Sequence, residues 1–258
     1  MTKKDSPLSM SLFALTLTAG ITMSVGMPTQ IRAESEQATT TQNLFRNKNI
    51  RVKFEPPGQG KPKETAGGAS RSNLLCAQEQ LNVGKCVIPL TPVNQEGLTV
   101  TERPTFLVYV PQISAKQILF TLVDKSKTYQ YQKKIPLPRK EGIVSFKLPE
   151  EAPALEIGKN YQWSFVLIEE EGLKPDNPGV KGEIRRVEID KALSAQLEQM
   201  SPIERAALYG EKGIWYETVA TLAELVRSQP GNLELAETWK QLLNSVGLEA
   251  IAAKPQVQ

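Results

Sequence analysis

Leu155-Glu156-Ile157-Gly158-Lys159-Asn160-Tyr161-Gln162-Trp163, running on into Ser164-Phe165-Val166-Leu167-Ile168, decides how this chain is read. A leucine, a glycine turn and a tyrosine opening a strand make the pattern of a tyrosine corner in an immunoglobulin-like β-sandwich. Leu155, Gly158, Tyr161 and Trp163 are therefore read as a structural corner and core. The stretch points to a fold and carries no chemistry.

Outward from that corner, residues 98–190 break into short β-rich runs separated by turn residues. Seven strands are predicted: Leu98–Glu102, Thr105–Val110, Gln117–Val123, Thr128–Leu137, Ile143–Leu148, Tyr161–Glu169 and Val180–Asp190. Phe106, Val108 and Val110 alternate with Leu107, Tyr109 and Pro111, so one face of that run is buried and the other wetter. Strands separated by turns, with no helical pattern between them, favour a sandwich over βαβ units. Prolines at 104, 111, 136, 138 and 149 stand at strand ends, where no ladder hydrogen bond is lost. Arg185-Arg186 beside Glu183 and Glu188 reads as a strand with an ion-paired outer face.

After Asp190 the hydrophobic period changes from two to 3.6. Lys191–Met200 reads as one helix, and Ser201-Pro202-Ile203-Glu204 opens a second with a capping box and proline at its first position. Gly213 ends it. A third helix, Ile214 to Ser228, carries Trp215, Val219, Leu222 and Val226 on one stripe. A fourth, capped by Asn232, carries Leu235, Trp239, Leu242 and Val246, with Gly247 as its C′ residue. Tyr209, Gly213, Trp215, Leu222 and Pro230 are similar to a tetratricopeptide repeat. No second copy follows, and an isolated repeat cannot bury its face, so a helical pair packed on the sandwich is expected instead. Residues after Ile251 read as frayed.

The chain therefore divides into a signal peptide (1–33), a disordered linker (34–80), a β-sandwich domain (81–190) and a C-terminal helical region (191–258). Lys3 and Lys4 precede an apolar, uncharged run from Leu8 to Met27, with Ala33 beyond it, the signature of a secretory signal. The run's many Ser, Thr and Gly residues favour cleavage over a retained membrane anchor, and a periplasmic, outer-envelope or secreted location is expected. Cleavage after Ala33 removes Lys3, Lys4, Arg32 and Asp5, taking the net charge from +3 to +1. That leaves no electrostatic case for nucleic acid. Between 46 and 63 the linker holds Arg46, Lys48, Arg51, Lys53, Lys61 and Lys63 against Glu55 alone, as a solvated tether or a basic arm.

The chain has no histidine and two cysteines. Histidine-activated nucleophiles, His-ligated metals and Cys₄ zinc sites are thus excluded. Cys76 and Cys86 frame a short loop and read as a disulfide in an exported protein, with two buried thiols or an intermolecular bridge as rival readings. Glu169-Glu170-Glu171 offers carboxylates, but adjacent strand residues point to opposite faces, so a charged strand end is expected. No calcium loop, phosphate loop or nucleophile elbow is present, and no cofactor is expected.

From about Leu90 onward the chain resembles a cyanobacterial family known only as domain of unknown function 928. The resemblance rests on Gly97-Leu98-Thr99, Arg103-Pro104-Thr105-Phe106, Tyr109-Val110-Pro111, Gly142-Ile143-Val144-Ser145 and Gly158 with Tyr161 and Trp163. It continues through Arg186-Val187, Gly213-Ile214-Trp215-Tyr216-Glu217 and Leu242 to Leu248. It implies a secreted or envelope protein and brings no catalytic residues. Relatives often carry a cysteine where this chain has Leu167 or Ile168. The function expected is a non-enzymatic envelope module that binds a protein or polymer partner. The alternatives are an envelope glycan hydrolase using Asp/Glu pairs and a membrane-tethered accessory domain.

Overall fold

The computed structural model describes residues 50–58, 86–92 and 97–257, apart from 125, 127, 129, 169–171 and 176. The chain forms two units, Met1–Asn49 and Ile50–Gln258, and the described residues all belong to the second. The expected signal peptide, Cys76 and Glu169-Glu170-Glu171 lie outside them. Among the described residues no helix is long and apolar enough to cross a membrane.

Among the described residues nine strands form two sheets. The first has the order β1 (Ile88–Pro89), β3 (Thr105–Val110), β6 (Gly142–Lys147), β9 (Gln256–Val257). The second has the order β2 (Gly97–Thr99), β8 (Gly179–Arg186), β7 (Asn160–Ile168), β4 (Gln117–Asp124), β5 (Gln130–Pro136). The alternation in β4, with Ile118, Phe120, Leu122 and Asp124 buried, puts one face of the second sheet inward. There the two sheets meet through their rings. Phe106 of β3 lies 5.0 Å from Phe120 and 5.7 Å from Trp163, and Phe146 of β6 lies 4.6 Å from Phe120. Each large side chain so buried stabilises the fold by about 1.5–3 kcal/mol relative to exposure.

The strands differ from expectation in more than their ends: β1 and β9 are additional to the seven expected, and Leu107 and Tyr109, on the expected wetter face of β3, are buried. β2 ends at Thr99 rather than Glu102, because the Val100 and Thr101 amides turn away to meet Glu217. β8 ends at Arg186, and Asp190 instead caps the next helix, accepting from the Leu193 amide at 2.7 Å. The sheets are antiparallel except at two edges, where β2 pairs parallel with β8 and β9 parallel with β6.

Four helices follow: α1 (Lys191–Glu198), α2 (Pro202–Glu211), α3 (Trp215–Ser228) and α4 (Leu233–Ser245). The capping box forms, with the Ser201 amide and hydroxyl both donating to Glu204 Oε2, at 3.0 and 2.8 Å. The stripe of α3 turns into the sandwich, where the helix meets β2 and β3, rather than toward a further repeat. Sandwich and helices lie in one compact unit, Ile50–Gln258.

Both flanks of the described unit are held, against expectation. Residues 50–58, inside the predicted linker, form a strap across α2 and α3. Val52 is buried, Phe54 sets its edge on Trp215 at 4.9 Å, and the Glu55 amide donates to the Gly210 carbonyl at 2.9 Å. A Cβ on Gly210 would collide with the Lys53 carbonyl, so the bare glycine admits the strap. The tail after Ile251, predicted to fray, returns as β9. It is fastened by the Ile143 amide on the Pro255 carbonyl at 2.7 Å and by Lys254 on Glu141 at 3.1 Å. Polar composition suggested disorder in the linker, but buried Val52, the Phe54 ring and a backbone hydrogen bond hold residues 50–58 in place.

Candidate functional site

The polar side chains with the most unusual surroundings gather where α3 enters the sandwich. Tyr161, at the head of β7, is buried, and its hydroxyl accepts from the Glu156 amide at 2.9 Å across the turn made by Gly158 (φ +80°). Leu155 is buried beneath it. The Leu155 amide donates to the Glu102 carbonyl at 3.0 Å, and its own carbonyl accepts from Arg186 at 2.6 Å. Arg103 clamps the same bend by donating to the Pro149 and Ala152 carbonyls at 2.7 and 2.6 Å. The ion-paired outer face expected around Arg186 is not where this side chain lies. It turns to backbone carbonyls instead, with Glu102 3.9 Å away.

Trp163, two residues along β7, links this corner to the helix. Its indole N–H donates to the Tyr216 hydroxyl at 2.6 Å, and that hydroxyl donates onward to the Glu183 carbonyl at 3.2 Å. Burial holds the Tyr216 phenol far above its ordinary range, so it remains a neutral donor. Two glycines make the space. A Cβ on Gly182 would run into the Trp163 ring, and one on Gly97 into the Tyr216 ring. The adjacent Trp215 donates to the Leu90 carbonyl at 2.8 Å.

Glu217, next on α3, is the chemically conspicuous group. Its Oε1 accepts from the Thr99 hydroxyl at 2.5 Å and from the Thr101 and Val100 amides at 3.2 and 3.3 Å. Its Oε2 is buried with no hydrogen-bond partner among the described residues. Burial raises its pKa, and the donors around Oε1 counter only part of that rise. A raised carboxyl can suggest catalysis. Here it faces the backbone of a bend, and the arrangement fastens a helix to a sheet.

The sequence read Leu155, Gly158, Tyr161 and Trp163 as a corner, and the structure places the first two at the turn before β7 and the last two within β7. It missed what the corner is joined to. A signal existed in β8, where Gly182 occupies an inward position between the buried Val180 and Ile184, as strand glycines do when something approaches closely. Cys86 is half-buried just before β1, while Cys76, with which the sequence pairs it, lies outside the described residues. Among the described residues no group of three Asp, Glu, His or Cys side chains could hold a metal ion.

The outer face of the second sheet offers a surface of another kind. Pairing aligns Lys134, Leu119, Val166 and Gly179 in one row across β5, β4, β7 and β8. Gln132, Thr121, Ser164 and Lys181 form the next. A groove of about 530 Å³ lies here, floored by Leu119 and Val166 and walled by Leu173 and Pro175. Leu173 is 58% exposed.

Some of the residues that marked the family resemblance fall at the joint: Gly97, Thr99 and Arg103 on one side, Tyr161, Trp163 and Arg186 behind, and Trp215, Tyr216 and Glu217 on the helix. No curated protein matches the chain. Residues 66–256 match the family described as Domain of Unknown Function (DUF928), and with most of its length covered the chain belongs to that family.

Proposed function

We propose that this protein is an exported, non-enzymatic interaction module of the cell envelope that binds a protein or polymer partner. The observation that carries the reading is the division of labour between the two faces of the second sheet. Its inner side and the α3 joint are filled, whereas its outer face is open, grooved and polar. The strand orders β1-β3-β6 and β2-β8-β7-β4-β5, with a tyrosine corner heading β7, support an immunoglobulin-like sandwich, a scaffold that presents faces and loops for binding. The placement of Glu217 supports a non-enzymatic role, because its carboxyl is engaged by the Val100–Thr101 bend. The charged, apolar-cored N-terminus supports export.

The test is binding of the purified full chain to fractionated envelope, resolved into protein, lipid and polysaccharide components. Saturable binding to one component is expected. If no component binds with a dissociation constant below about 1 mM, the reading fails. Release of reducing sugar from an envelope glycan would replace it with the hydrolase alternative.

A further inference from the structure

We propose that the outer face of the second sheet binds an acidic polysaccharide laid across β5, β4, β7 and β8. The inference rests on the binding-module reading and names its surface and ligand class.

Charge is the first argument. Residues 116–147, which span β4, β5 and all of β6, hold eight Lys and Arg against two Asp and Glu. Residues 188–258, which include α1 to α4, hold six against ten. Charge is therefore unevenly spread along the chain, and residues 148–187, which include β7 and β8, hold five Lys and Arg against eight Asp and Glu. On the outer face itself Lys134, Lys181 and Arg185 are exposed, and Glu183 is the acidic residue among them. These three cations have no ion pair among the described residues. Lys133, the neighbour of Lys134 on the inward side of β5, is instead occupied by Glu151 at 2.5 Å.

What lies between the cations is the second argument. Strands stand about 4.8 Å apart, so Lys134 on β5 and Lys181 on β8 are separated by about 14 Å across the sheet. Gln132, Thr121 and Ser164 occupy the row that leads to Lys181, and Gln130 and Gln162 lie in the row beyond. Amides and hydroxyls both donate and accept, which suits the hydroxyl-rich edge of a sugar chain whose carboxylates or sulfates reach the flanking cations. Leu119 and Val166, half-buried on the groove floor, offer apolar surface for the faces of the rings.

Other polyanions fit less well. No aromatic side chain stands on this face among the described residues, so single-stranded nucleic acid would find nothing to stack on. A flat sheet lacks the amphipathic helix that inserts into a lipid surface. An acidic peptide would add to the β5 edge, where Pro136 offers no N–H and lysines discourage pairing.

The test measures binding of the full chain to polygalacturonate, neutral dextran, poly-glutamate and anionic phospholipid vesicles by calorimetry. Polygalacturonate should bind, with an affinity that falls steeply as salt is raised, and dextran should not. The triple variant Lys134→Gln, Lys181→Gln, Arg185→Gln should weaken that binding by about tenfold or more, the scale of a few exposed charges. A helical control, Lys212→Gln with Lys240→Gln, should leave it unchanged. Gln132→Ala with Ser164→Ala keeps every charge, so it should weaken polygalacturonate several-fold and leave any poly-glutamate binding untouched. Unchanged thermal unfolding confirms that the variants are folded. Poly-glutamate or vesicles binding as tightly as polygalacturonate would overturn the proposal, as would an indifferent triple variant. If wild type and triple variant take the same envelope component equally, only this inference falls; if the wild type takes none, the module reading falls with it.

Discussion

Tyr216→Phe tests whether the helices are an appendage or part of the sandwich. The substitution removes one oxygen and keeps the ring beside Phe106, so packing is nearly conserved. It leaves the Trp163 indole N–H buried without its 2.6 Å acceptor and removes a 3.2 Å bond to the Glu183 carbonyl. An orphaned buried donor costs about 1–3 kcal/mol, and the weaker second bond adds little, so a loss near ~2 kcal/mol is expected. For a unit of this size that corresponds to a fall in Tm of roughly 4–8 °C. The assay is urea unfolding followed by tryptophan fluorescence and by far-ultraviolet circular dichroism. Both probes should shift together, because Trp163 and α3 unfold in one transition. A double-mutant cycle with Trp163→Phe isolates the pair. The phenyl ring of that variant has no N–H to strand, so removing the Tyr216 hydroxyl should cost much less in its background. A loss below about 0.5 kcal/mol, or a helical signal that melts before the fluorescence, would refute the reasoning.

Three other substitutions probe the remaining fastenings. Tyr161→Phe should cost roughly 1–2 kcal/mol by freeing the Glu156 amide, read from the urea midpoint, and binding loss without a stability change would contradict the corner. Glu217 has a folded-state pKa above its ordinary 4.5, so its contribution is fully present below that value and is lost as pH rises through the folded pKa. Glu217→Gln keeps an acceptor for Thr99, Val100 and Thr101 and removes the titration. The fall in stability from pH 4.5 upward should therefore flatten in this variant, and an identical pH profile would show that Glu217 does not titrate there. Gly210→Ala should push the Lys53 carbonyl away and cost about 1–3 kcal/mol, with faster proteolysis near residues 50–58 as its signature.

How much could be read in advance follows from the range over which each signal acts. The corner was legible because Leu155, Gly158 and Tyr161 are near neighbours whose pattern implies their geometry. The four helices were legible because caps such as Ser201 with Glu204 and Asn232 are local devices. Partnership across the fold was not. Nothing near Trp163 says that its N–H will meet Tyr216, and nothing near Lys53 says that its carbonyl will rest on Gly210. The pairing of Ile143 with Gln256 is equally silent, since the final residues have no periodicity of their own. The groove on the outer face escaped notice for a related reason. Lys134, Thr121, Ser164 and Lys181 come from four strands, and only the register places them side by side.

The last strand also bears on the order in which this protein can acquire its structure. β6 is flanked by β3 on one side and by β9 on the other, so its second edge stays unpaired until Gln256 and Val257 arrive. The strap waits in the same way, because Glu55 finds its carbonyl partner only on Gly210. In a chain emerging amino end first, this edge of β6 can pair only after residues 256–257 have emerged. Contacts this distant in sequence slow folding. Until then β6 is an open edge, the kind of surface that recruits another chain.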